Sequence, residues 1–95
     1  MKMVLAMANA ARIDALRDEL KAAAVSGYSV LPVAEGGGRS GVHAGDRIHP
    51  GALSAAFVVE SDEKAAALFD RLVRWRDAAG DEVTRFFLLP VERQA

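Results

Sequence analysis

Gly36-Gly37-Gly38-Arg39 is the stretch of this chain best suited to chemistry. Consecutive glycines let backbone N–H groups converge on an anion, because a Cβ would block positive φ and close backbone approach. The guanidinium that follows adds a charge-assisted, fork-shaped donor. The same four residues also suit a plain hairpin hinge, and their spacing alone does not choose. Just downstream, His43 and His49 flank Asp46. Two imidazoles and a carboxylate are the ligand types of Zn²⁺, Ni²⁺ or Cu²⁺, although this spacing is irregular for a preformed metal site. Ser29, Ser40, Ser54 and Ser61 have no local histidine-and-acid arrangement to activate a hydroxyl. Carboxylates pair at Asp62/Glu63 and Asp81/Glu82. The first pair reads as the acidic first turn of a helix and the second as a solvated turn.

Composition excludes several classes outright. Zero cysteines remove disulfides, thiolate nucleophiles and cysteine-based zinc sites. Twelve Lys+Arg against 13 Asp+Glu give a net charge of −1, which offers no broad phosphate-neutralising face for nucleic acid. RNA-reading aromatics are also missing: of the strand-like stretches 1–8 and 52–60, only the second carries one, Phe57. The longest apolar run, residues 3–8, is far too short for a bilayer span, and no signal-peptide pattern follows Met1-Lys2. A hydrophobic content of 52% over 95 residues predicts one folded domain, 1–95, soluble and cytoplasmic.

The elements that must position these groups follow from periodicity. Residues 3–8 read as a strand. Ile13, Leu16, Leu20 and Ala23 then form one helical stripe, with Gly27 as the stop. Residues 28–34 form a second strand, and Pro32 places it at an edge or bulge. Residues 35–51 hold six of the eight glycines, Pro50 and both histidines. A segment so long and glycine-dense predicts a mobile functional loop. A third strand spans 52–60, and Ser61 caps a helix whose stripe is Ala65, Leu68, Leu72 and Trp75 or Arg76. Arg74 and Arg76 are expected to face water at its C-terminal end. Gly80 stops that helix, and 84–91 is the last strand.

The order βαββαβ predicts an α+β, ferredoxin-like fold, with two helices on one face of a four-stranded antiparallel sheet. Both parities of the strands are apolar: Met3/Leu5/Met7 and Val4/Ala6, then Phe86/Leu88 and Phe87/Leu89. The second sheet face therefore requires cover, and other copies of the chain are the expected cover.

Over nearly the whole chain these residues resemble the P-II signalling family and its shorter P-II-like relatives. MKMVLAMANAARIDALRDELKAAAVSGYSVLPV is similar to the family's strand, helix and glycine-led second strand. Gly36-Gly37-Gly38-Arg39 resembles the G-x-G-R step at the base of the family's T-loop, and Gly41-Val42-His43 continues like its G-H segment. Arg85-Phe86-Phe87 stands where the family has a basic residue and an aromatic strand after its B-loop.

The resemblance implies a homotrimer that binds an adenine nucleotide or a bicarbonate-like anion between subunits. Its 35–51 loop would dock on a membrane transporter or a metabolic enzyme. It places Ser29, Gly36, Gly37, Gly38 and Arg39 in that cleft, with Arg85 as a second cation and Met7 and Val58 as apolar walls from the neighbouring subunit. Residues 78–84 depart from the family's glycine-rich B-loop: they are acidic, with one glycine. A ligand smaller or less charged than a triphosphate fits that departure better. The function expected is therefore a non-enzymatic trimeric sensor, without nucleic acid and without membrane insertion. The rival readings are a transition-metal trimer of the same fold through His43, Asp46 and His49, similar to divalent-cation tolerance proteins, and a small ferredoxin-like enzyme.

Overall fold

A computed structural model of the chain describes residues 1–34, 36–38, 41–42 and 53–95. The expected mobility of 35–51 concerns residues lying mostly outside that description. β1 (Lys2–Asn9) leads through a 3₁₀ turn (Ala10–Arg12) into α1 (Ile13–Ala22) and β2 (Ser29–Pro32). Two short strands follow, β3 (Gly37–Gly38) and β4 (Gly41–Val42), then β5 (Leu53–Glu60), α2 (Asp62–Ala78) and β6 (Arg85–Pro90). The main sheet is antiparallel with order β2-β5-β1-β6, so the central strands are the two longest. This is the ferredoxin-like arrangement the sequence predicts, with Pro32 on an edge strand where its missing N–H is tolerated.

Both helices lie on one face of the sheet. Leu16 and Leu20 of α1 and Ala65, Leu68 and Leu72 of α2 pack on Val4, Ala6, Ala8, Ala56, Val58 and Phe86. The predicted stripes are the buried ones, because a 3.6-residue period brings those side chains to one side. The β1 and β5 side chains beneath the helices are small, whereas Met3, Leu5, Met7, Phe57 and Val59 take the opposite parity. On that second face Leu31 is 51%, Phe87 47% and Leu89 39% exposed.

Three local details differ from expectation. α1 ends at Ala22, not at Gly27: Ala24 adopts φ 56°, and Val25 N–H bonds back to Leu20 O at 3.5 Å. This is a left-handed helix terminus made without glycine. Inside the glycine-rich segment, Gly37 and Gly38 ladder with Val42 and Gly41, an unforeseen antiparallel pairing. Arg76 turns back toward the sheet instead of facing water, with its guanidinium 5.7 Å from the Phe86 ring centroid. Gly80 does stop α2, at φ 67°.

Candidate functional site

Strand parity decides which candidate side chains can meet. Met7 and Arg85 are direct cross-strand partners, and Ser29 pairs with Phe57, all on the face away from the helices. One row across that face reads Leu31, Ala55, Met7, Arg85; the next reads Ser29, Phe57, Leu5, Phe87. Ser29 and Arg85 therefore share a face but stand on opposite edge strands, about 14 Å apart at the usual interstrand spacing. Gly36 and β3 follow β2 at the same end of the sheet where β6 begins. One chain thus carries a glycine edge and an arginine edge on opposite sides of its sheet.

One expectation needs correction. Val58 is 2% exposed beneath the helices, because even-numbered positions of β5 face that way, so it offers no wall to a cleft on the open face. Phe57, beside Ser29, is the β5 side chain that faces outward there. Gly37 and Gly38 are strand residues, paired with Val42 and Gly41. At Gly36 an added Cβ would meet only Leu53 Cδ1, at an ordinary 3.7 Å. Arg39, His43, Asp46 and His49 lie outside the described residues. Among the described residues, no three His, Asp or Glu side chains cluster as metal ligands.

The arginine edge is the better-built half. Asp81, expected to be a solvated turn residue, has a side chain only 9% exposed. It accepts hydrogen bonds from Val83 N at 2.9 Å, Thr84 N at 3.0 Å and Thr84 Oγ1 at 2.5 Å. Thr84 is fully buried. Arg12 Nε stands 3.5 Å from Asp81 Oδ2, an ion pair too long for a hydrogen bond, and that buried Nε has no other partner. The Arg12 guanidinium lies 4.7 Å over the Trp75 ring. Arg85 Nη1 donates to Glu82 O at 2.8 Å and Thr84 O at 3.1 Å, and Arg76 Nη1 reaches Thr84 O at 3.4 Å. An aspartate whose carboxylate accepts from the N–H groups two and three residues later closes a turn by its side chain, here with a threonine at the third position.

Burial opposes ionisation of Asp81, but the bonds from Thr84 and Val83 and the Arg12 charge outweigh it and hold its carboxyl below the ordinary carboxylate range. A depressed folded-state pKa contributes stability that is complete above the unfolded value, about 3.9, and is lost as pH falls through the folded one. Stability measured by urea unfolding should therefore fall more between pH 5 and pH 3 for the native chain than for Asp81→Asn. Equal acid sensitivity in the two proteins would remove Asp81 from this role.

A family model described as nitrogen regulatory protein P-II matches residues 1–94. The fold is similar to that of CPII, a nitrogen regulatory PII-like protein from Thiomonas intermedia K12, in a structure bound to ADP, AMP and bicarbonate. That match has 21% identity and a TM-score of 0.66 and covers 97% of this chain and 88% of that one. A DUF3240-family protein from Shewanella baltica superposes with TM-score 0.73 at 17% identity, over 99% and 92% of the two chains. A putative PII-like signalling protein from Thermus thermophilus does so with TM-score 0.65 at 18% identity, over 92% and 80%. No curated protein sequence matches the chain.

Proposed function

The chain belongs to the nitrogen regulatory protein P-II family, and from that premise we propose that it acts as a trimeric sensor. In this reading it binds a small anion of the adenine-nucleotide or bicarbonate class between subunits and regulates a partner protein through residues 35–51. One observation carries the reading: the glycine edge and the arginine edge lie at the same end of one apolar sheet face but on opposite strands. A head-to-tail contact brings one copy's glycine edge to the next copy's arginine edge, and such contacts close into rings. Three copies in a ring give three equivalent clefts and cover the exposed Leu31, Phe87 and Leu89.

Arg39 and Arg85 supply two cations to each cleft, against a turn that carries Asp81 and Glu82. That balance suits ADP, AMP or bicarbonate better than a triphosphate, whose charge demands more neutralisation. The groups assigned to the cleft hold and neutralise an anion and include no nucleophile paired with a base, so the role is regulatory. It is placed in the cytoplasm, with a membrane transporter or a metabolic enzyme as the partner. No helix among the described residues is long and apolar enough to cross a membrane.

Calorimetric titration of the purified chain with ADP, AMP and bicarbonate should show saturable binding of at least one of them at one site per chain. ATP should bind more weakly than ADP. Failure of all three to bind overturns the reading, as does Zn²⁺ binding that His43→Ala with His49→Ala abolishes in a chain indifferent to anions.

A further inference from the structure

We infer that Asp81 is a positioning residue for Arg85: tied by Thr84 and Arg12, it presets the turn on which the cleft's cation rests. The inference deepens the reading of Arg85 as an anion-binding group and rests on it. Both hydrogen bonds of the Arg85 guanidinium end on the carbonyls of Glu82 and Thr84. Those residues belong to the turn that Asp81 closes through Val83 N, Thr84 N and Thr84 Oγ1. Asp81 is itself held from behind by Arg12, which lies over Trp75. The chain of contacts runs without a break from the α2 tryptophan to the β6 arginine.

The tie has a second, electrostatic effect. Asp81 stands four residues from Arg85, and a carboxylate free to swing there would pair with the guanidinium or repel the anion. Its three hydrogen bonds turn it inward instead, and Arg12 balances its charge. An acidic turn is thereby made compatible with an anion site. Beside it lies an open surface hollow of about 390 Å³, lined by Asn9, Ala11, Arg12 and residues 79–83. Preorganisation of this kind raises affinity because less ordering remains to be done on binding.

The test compares Asp81→Asn and Thr84→Val, each alone and combined with Arg85→Ala, by ADP calorimetry and by NMR of the arginine guanidinium N–H groups without ligand. Asp81→Asn should shift the Arg85 side-chain signals toward those of solvated arginine and weaken ADP binding about tenfold. Thr84→Val keeps the carboxylate and the volume, removes one donor, and should act in the same direction with about a threefold loss. Neither change should weaken binding further once Arg85 is alanine, because Asp81 acts through it. Unmoved Arg85 signals in both single variants, or losses that multiply in the double variants, overturn the inference and leave Asp81 a purely structural residue. A native chain that binds no ADP defeats the functional reading instead, and the ligand-free NMR arm still decides this one.

Discussion

Leu5→Asp should convert the proposed trimer to monomers. Leu5 occupies an inner strand of the open face, between Phe57 and Phe87 in the row that begins at Ser29. A carboxylate placed there stands between two phenylalanines, and burying it unpaired in a contact costs roughly 3 kcal/mol or more per chain. Three chains carry the change in every assembly, so the penalty is met three times around the ring. Light scattering should fall from near three times the 10.1 kDa chain mass to the chain mass itself. Ala67→Asp, on the exposed side of α2, serves as the control and should leave the mass unchanged. A Leu5→Asp protein that stays trimeric would show that the apolar face is not the contact.

In the proposed cleft, Arg39→Ala and Arg85→Ala should each weaken ADP binding by about 10- to 100-fold, the loss of a charge-assisted contact of ~1.5–3 kcal/mol. Neither should change the mass in solution, and His43→Ala with His49→Ala should leave anion binding intact. Subunit mixing makes the test sharper. If each cleft takes Arg39 from one chain and Arg85 from the next, co-refolding the two single variants places both arginines in about a quarter of the clefts. A tight class of sites then reappears in a mixture of two weak proteins. If every site in the mixture stays weak, the two arginines do not meet across subunits.

Much of the architecture was legible because helices and edge prolines leave strong marks. The stripes Leu16/Leu20 and Ala65/Leu68/Leu72 repeat at the helical period, and Pro32 required an edge or a bulge, of which β2 takes the edge. Parity within the strands was not legible. Where a strand is apolar at both parities, a period of two carries no phase, so nothing in the β5 pattern showed that Val58, named as a cleft wall by the resemblance, lies beneath the helices. The end of α1 was hidden differently: Ala24 takes a left-handed φ that glycine normally supplies, held by the bond from Val25 to Leu20, and nothing in its residue type announces this. Of the candidate site, the family resemblance named residues on both edges, while the inward turn of Asp81 required coordinates. An acidic residue in a turn is usually solvated, and only its distances to Thr84 and Arg12 show otherwise.

The division of the sheet into a small-residue side and a large-residue side bears on the life of a newly made chain. Val4, Ala6, Ala8 and Ala56 let the helices settle close to the sheet, but the bulkier Met3, Leu5 and Phe57 remain on the other side, beside the exposed Phe87. The chain's own fold thus uses only part of its hydrophobic driving force, and in the proposed trimer the rest is released when copies meet. Mass action then governs how firmly the protein holds its shape, since dilution favours the species with uncovered phenylalanines and leucines. A cell making few copies would keep a larger share of them in that adhesive state, open to proteases and chaperones, than a cell making many.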